Sequence, residues 1–268
     1  MAERGKAAAV IQARMGSSRL PGKVLLTACG KPLLLHMLDR MQLCREVDRI
    51  IVATTTNPAD DVIVRLVEEV GYEVFRGSEN DVLDRYYQAA TAYDIDPVVR
   101  VTSDCPLIEP DVVDRVVRTF RDGNYDYVST NHPATFPDGL DTETFSYEAL
   151  KIAWSEAKAP HEREHVSPFI WDQPRRFRVG NVVNEVDLSQ RERWTLDYPE
   201  DYAFVKAVYE ELYIPGGFFG MREILALLER RPDIAAMNSR YAGVNWYAKH
   251  WEALRTKETL HTHMEGGA

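Results

Sequence analysis

The chain has 268 residues, 45% of them hydrophobic, which is enough for a substantial core and close to the ceiling for one domain. Its 32 Lys and Arg against 42 Asp and Glu leave a formal charge of -10, the wrong field for a nucleic-acid partner, whose phosphates demand cations. No apolar run reaches the roughly 18 residues that span a bilayer, "MAERGKAAAV" is too short and polar for a secretory signal, and Cys29, Cys44 and Cys105 have no metal spacing. A cytoplasmic protein with a small ligand and no membrane partner is expected.

In chain order, "AAAVIQA" reads as a first strand, and the loop "QARMGSSRLPGK" that follows gathers Arg14, Arg19 and Lys23 among Gly, Ser and Pro. Next come the helix "PLLLHMLDRMQLC", the strand "DRIIVATTT", the helix "ADDVIVRLVEEV" and the strand "YEVFRG". The helix "DVLDRYYQAATAY" is opened by Ser78 and Asp81 as a capping box; "PVVRVTSD", "EPDVVDRVVRTF" and "YDYVSTN" complete the series. Such alternation predicts βαβ units and a mostly parallel, doubly wound α/β sheet over about the first 131 residues. From His132 the rhythm breaks into short strands, a helix over 149–157 and several Pro and Gly, read as a substrate-side insertion over 132–190. The strand-like "RWTLD" and the helices "PEDYAFVKAVYEEL" and "MREILALLERR" then resume the pattern, so residues 1–256 are expected as a single domain and 257–268 as a disordered tail.

In open α/β sheets ligands collect at the carboxyl ends of strands, where the basic loop stands. Its backbone N–H groups, with Arg14, Arg19 and Lys23, suit a triphosphate. It is not a Walker loop, because Gly16 and Gly22 enclose five residues and Val24 follows Lys23, and it is not a dinucleotide fingerprint, because Ser18 stands where the second glycine belongs. Asp104 and Asp197 each end a predicted strand and suit Mg²⁺, which takes its remaining oxygens from phosphate and water. Each is also followed closely by proline, so either also reads as a helix cap.

The blocks "IQARMGSSRLPGKVL", "VATTTNPADD", "FRGSENDVLDRY", "RVTSDCPLI", "EREHVSPFI" and "WTLDYPEDY" resemble, in order, the SpsF-type cytidylyltransferases of spore-coat polysaccharide synthesis. These are relatives of the acylneuraminate and 3-deoxy-manno-octulosonate cytidylyltransferases. The resemblance implies a nucleotide-diphosphosugar-transferase fold, a Rossmann-like three-layer α/β/α sandwich on a mixed sheet. It implies transfer of CMP from CTP to an acceptor with release of pyrophosphate, and a homodimer. It places Ala13, Gly16, Ser17 and Ser18 around the triphosphate with Arg14 and Lys23 as its principal cations, and Thr54, Thr55, Ser78 and Asp81 around base and ribose. Asp104 and Asp197 match the family's two magnesium ligands. Val24 departs from the sialic-acid branch, which has Asn after this lysine.

"HEREH", from His161 to His165, also satisfies H-E-x-x-H and would suit a zinc hydrolase, but Pro160 and Pro168 leave little continuous helix to set that geometry. The preferred reading has Arg163 and His165, with Glu143 from "DTETF", lining the pocket of a small acidic acceptor; the family's similar "REHV" block supports it, and Arg163 offers a bidentate donor. Another nucleotide, or a phosphonate acceptor, is the alternative. His36 within "LLLHML" reads as a satisfied buried side chain, and Cys105 beside Asp104 is not a nucleophile, because a neighbouring carboxylate raises a thiol's pKa.

Overall fold

A computed structural model describes residues 7–257 and 260. Its first half is β1 (Ala8–Gln12), a small hairpin of β2 (Thr27–Ala28) and β3 (Lys31–Pro32), α1 (Leu33–Met41), β4 (Arg49–Thr55), α2 (Asp61–Glu69), β5 (Glu73–Gly77), α3 (Val82–Tyr93), β6 (Val98–Thr102), α4 (Pro110–Gly123) and β7 (Tyr127–Ser129). There follow β8 (Glu143–Phe145), α5 (Tyr147–Glu156), α6 (Pro160–His165), α7 (Pro168–Trp171), β9 (Val179–Asn181), α8 (Pro199–Leu212) and α9 (Met221–Arg230). Every strand and helix expected before residue 132 is present. Among the described residues no helix is long and apolar enough to cross a membrane.

The seven-stranded sheet has the order β5-β4-β1-β6-β8-β7-β9. β8 alone is reversed, antiparallel to both β6 and β7. Successive side chains of β1 point to opposite faces: Ala8 and Val10 join a core with α3 and α5, whereas Ala9 and Ile11 join another with α1, α2 and α4. A three-layer α/β/α sandwich on a mixed sheet results. A third cluster, built on α8 and α9, packs Trp194, Phe204 and Ile224 beyond β7. Residues 132–190, expected as an insertion, supply β8 and β9 to the main sheet and α5 to α7 to its flank.

Two local expectations are corrected. Asp81, not Ser78, caps α3: its extended backbone brings Oδ1 within 2.9 Å of the Asp84 N–H, while the Ser78 hydroxyl accepts from Asp81 N at 3.1 Å, one step outside the helix. "RWTLD" is not a strand. Only Arg193 makes a bridge, to Asp138; beyond it Trp194 N donates to Asp138 O at 2.6 Å and Leu196 N to Asp104 O at 2.9 Å, so its amides are divided between two segments. Of the expected tail, all but Lys257 and the buried Leu260 lies outside the described residues.

Candidate active site

The basic loop leaves the carboxyl end of β1 and folds back on itself. Met15 O accepts from Ser17 N and from Gly22 N, both at 3.0 Å, and Asp60 Oδ1 accepts from Met15 N at 2.7 Å, fixing the loop beside β4. Gly22 has φ 68°, a left-handed conformation that side chains resist, and it turns the chain into the single 3-10 turn Lys23–Leu25. Among the described residues the N–H groups of Gly16, Ser18 and Arg19 have no acceptor, leaving three dipoles for an anion.

At the end of that loop the Lys23 ammonium sits between two carboxylates, 3.1 Å from Asp104 Oδ2 and 2.9 Å from Asp197 Oδ1, and donates to Leu196 O at 2.7 Å. Asp104 follows β6; Asp197 comes from a segment sewn to it, since Leu196 N and the Thr195 hydroxyl both donate to Asp104 O, at 2.9 and 3.1 Å. Residues 93 positions apart thereby share one cation. Arg19 adds an ion pair to Asp197 Oδ2 at 2.7 Å. Burial opposes ionisation of Asp197, but Lys23 and Arg19 outweigh it and bring the pKa down to about 2; burial likewise opposes the Lys23 charge, and the two aspartates overcome it.

Behind this trio a fully buried pair holds the segment in place. Arg193 donates to both oxygens of Asp201, at 3.0 and 3.1 Å, and to Asp138 at 2.8 Å. Asp201 closes the first turn of α8 by accepting from the amides of Asp197 and Tyr198, at 2.9 and 3.0 Å, and Asn238 ties Arg193 O to Asp201. Gly139, with φ 109°, lies so close that a Cβ there would stand 2.6 Å from Thr195 N.

Arg19, Lys23, Asp104, Asp138, Arg193 and Asp197 line a cavity of about 380 Å³. Ala13, Arg14, Gly16, Ser17, Ser18, Lys23, Asp104, Glu143, His165 and Asp197 of the expected residues all border it. Glu143 is fully engaged there, accepting from the Tyr127 hydroxyl at 2.6 Å and pairing closely with Arg100 and Ser167. His165 stacks on Trp246 with centroids 3.7 Å apart, and burial, then Arg100, lowers its pKa to about 3. Arg14 reaches Glu79 O at 3.4 Å.

Five expected residues stand outside the cavity wall. Thr54 and Thr55 are buried in β4, and the Thr55 hydroxyl is taken by Asp60. Ser78 serves the α3 entry, and Asp81 and Arg163 pair with each other, Nε lying 3.0 and 3.1 Å from the two carboxylate oxygens; Arg163 also donates to Trp154 O at 2.6 Å. Arg163 is thus engaged as a brace between α3 and α6. The zinc reading fares poorly: α6 has six residues, Glu162 is spent capping it through Lys158 N and Ala159 N, and among the described residues no group of three metal-ligating side chains is assembled. His36 is satisfied as expected, its Nε2 lying 2.8 Å from Ala28 O.

The wall also holds residues that the sequence reading passed over: Arg85, Arg100, Asp138, Asp141, Arg193 and Trp246. Arg85 and Arg100 had a legible signal, a charge on the apolar face of a helix and another inside an apolar strand. Asp138 and Asp141 sit in an aperiodic stretch. Burial, then neighbouring carboxylates, lifts Asp138 to about 6 against the pull of Arg193, and raises Asp141 well above its ordinary value.

The model of the cytidylyltransferase family matches residues 8–222, and with them the loop, Lys23, Asp104 and Asp197. The chain belongs to that family. This cytidylyltransferase is a CTP-dependent nucleotidyltransferase, and its relatives agree with the fold just described. It is 32% identical to the spore coat polysaccharide biosynthesis protein SpsF of Bacillus subtilis over 84% of this chain and 95% of that one. It is 36% identical to a Brucella suis 3-deoxy-manno-octulosonate cytidylyltransferase over 45% of this chain and 49% of that one. A cytidylyltransferase structure from Leptospira borgpetersenii superposes with a TM-score of 0.82 at 33% identity, covering 87% of this chain and 97% of that chain.

Proposed function

We propose that this cytidylyltransferase, assisted by Mg²⁺, transfers CMP from CTP to an acidic sugar or related acid for surface polysaccharide or glycoconjugate synthesis, as a cytoplasmic homodimer. The convergence of Lys23 with Asp104 and Asp197 at the mouth of a loop with unsatisfied amides supports the reading most directly. The carboxylates fit a divalent ion because one cationic atom, Lys23 Nζ, already lies within hydrogen-bond reach of both, and because Asp138 and Asp141 crowd the same cavity with acid. Mg²⁺ held by Asp104 and Asp197 would supply Lewis-acid polarisation of phosphoryl oxygens.

The chain's own groups do the rest. The amides of Gly16, Ser18 and Arg19 receive phosphate oxygens, and Arg14 and Arg19 hold the departing pyrophosphate. Lys23 exchanges its carboxylate partners for the α-phosphoryl oxygens, where charge grows as the acceptor oxygen attacks in line with the leaving group. The acceptor meets the wall built from Asn131, His132, His165, Trp171 and Trp246, whose rings pack apolar faces while the carboxylates beside them take hydroxyls. An acidic sugar is supported by the similarity of part of this chain to the Brucella 3-deoxy-manno-octulosonate cytidylyltransferase.

The test is pyrophosphate release by the purified protein with CTP, Mg²⁺ and a panel of sugar acids, with a phosphonate as the competing acceptor. Release with a sugar acid is expected, and Asp104→Ala and Asp197→Ala should each abolish it while circular dichroism shows an intact fold. Near-normal turnover by either variant sinks the ligand assignment.

A further inference from the structure

Arg19 borders the cavity with its side chain 44% exposed and, among the described residues, a single carboxylate partner, Asp197. Beside it stands a column of aromatic rings. The Arg19 guanidinium carbon lies 5.2 Å from the ring centroid of Tyr198, and Tyr198 stacks on Tyr241 with centroids 4.0 Å apart and planes 5° from parallel. Arg240 covers Tyr241 at 4.6 Å, held there by Glu200 and by the Tyr241 hydroxyl, 2.6 Å away. A 4.0 Å gap leaves no room for a guanidinium between the rings, so the two arginines take the outer faces.

Both rings are fixed to the buried unit behind the site. Tyr198 N donates to Asp201 at 3.0 Å; Tyr241 N donates to Asn238 O at 3.0 Å, and Asn238 is itself bound to Asp201. Arg193, paired with that aspartate, lies 5.7 and 5.8 Å from the two centroids. A ring face suits Arg19 better than a carboxylate does. It attracts the guanidinium through its quadrupole and leaves the in-plane N–H donors free, whereas Asp197 consumes donors and sets negative charge beside the phosphates. Asp197 is also assigned to Mg²⁺, so its hold on Arg19 weakens whenever its oxygens serve another cation. Tyr198 is subject to no such exchange.

We propose that Tyr198, backed by Tyr241, is a positioning residue for Arg19: the stacked rings hold the guanidinium so that its N–H edge meets the departing pyrophosphate. This rests on the CTP reading of the site and deepens it. Tyr241 lies beyond residues 8–222, so the platform draws on a part of the chain outside the span that the family model matches.

The experiment measures equilibrium binding of inorganic pyrophosphate and of CMP, each with Mg²⁺, to the full chain. The variants are Tyr198→Leu, Tyr198→Phe, Tyr241→Leu, Arg19→Ala and the combination of Arg19→Ala with Tyr198→Leu. Tyr198→Leu should weaken pyrophosphate by on the order of three- to tenfold, the loss of one cation–π contact, and leave CMP unchanged. Tyr198→Phe should restore binding, because the ring face and not the hydroxyl does the holding. Once Arg19 is replaced by alanine, removing the Tyr198 ring should cost nothing more. Tyr241→Leu should act in the same direction as Tyr198→Leu and stands in for it if that variant does not fold. Four outcomes overturn the proposal: unchanged pyrophosphate affinity in the leucine variants, equal weakening of CMP, no rescue by phenylalanine, or an undiminished loss in the Arg19→Ala background. Binding of CMP but not pyrophosphate by the unaltered protein would overturn this assignment alone. Failure to bind either would bring down the CTP reading and this assignment with it.

Discussion

Lys23 holds Asp104 and Asp197 from a single nitrogen, which means that the two carboxylates are kept together and neutralised before any substrate arrives. Removing the ammonium should therefore have two opposite effects. Lys23→Met is expected to slow pyrophosphate release by on the order of 10²-fold or more, and to tighten Mg²⁺ binding in the absence of nucleotide, because the competing cation is gone. Calorimetric titration with MgCl₂ reads the second effect, and unchanged or weaker binding would show that these aspartates do not hold the metal. For the same reason chelation with EDTA should stop turnover while the melting temperature hardly moves. Lys23 and Asp104 were legible because one closes the loop after β1 and the other follows β6, whereas Asp197 was reached through an expected strand that the structure does not form. The role of Arg163 was not legible, since chain position says where a guanidinium begins but not that Asp81 will claim it.

Among the elements, the extended stretch from Arg193 to Asp197 decides whether the site exists. Its strand-like residues suggested a ladder, but its amides serve Asp138 and Asp104, two separate turns, and no local pattern in the sequence announces such a division. Gly139 permits the closest approach. Gly139→Ala would put a methyl 2.6 Å from Thr195 N at φ 109°, and should destabilise the protein by about 2 kcal/mol or more in chemical denaturation; a neutral result would show that the two turns can part without cost. On the acceptor side, Trp246 stacks on His165 within the cavity wall. Trp246→Ala should raise the acceptor KM and leave the CTP KM unchanged, and an equal rise in both would place this ring against the nucleotide instead.

At the scale of the whole molecule, the alternation of strands and helices made the sandwich readable, whereas the reversed β8, three residues long, carries too little pattern to reveal its direction. Acid sensitivity is another global property. Burial lowers His132 to about 4 and His165 to about 3, from 6.5. Between those values and 6.5 the unfolded chain binds protons that the folded one refuses, so this contribution to stability is complete above 6.5 and is lost as pH falls. Denaturant melts should show stability declining below pH 6.5 by up to about 1.4 kcal/mol per unit for each histidine, and His165→Gln should flatten the decline; an unchanged slope would show that His165 accepts its proton while folded.

Val244, Asn245, Trp246 and Tyr247 close the cavity from a stretch beyond residues 8–222, the span matched by the family model. This rear wall is thus encoded downstream of every residue assigned to the nucleotide. Acceptor preference can drift during evolution while the phosphate machinery is inherited intact, and a chimera carrying a relative's chain from Val244 onward should exchange one acid for another without altering its taste for CTP.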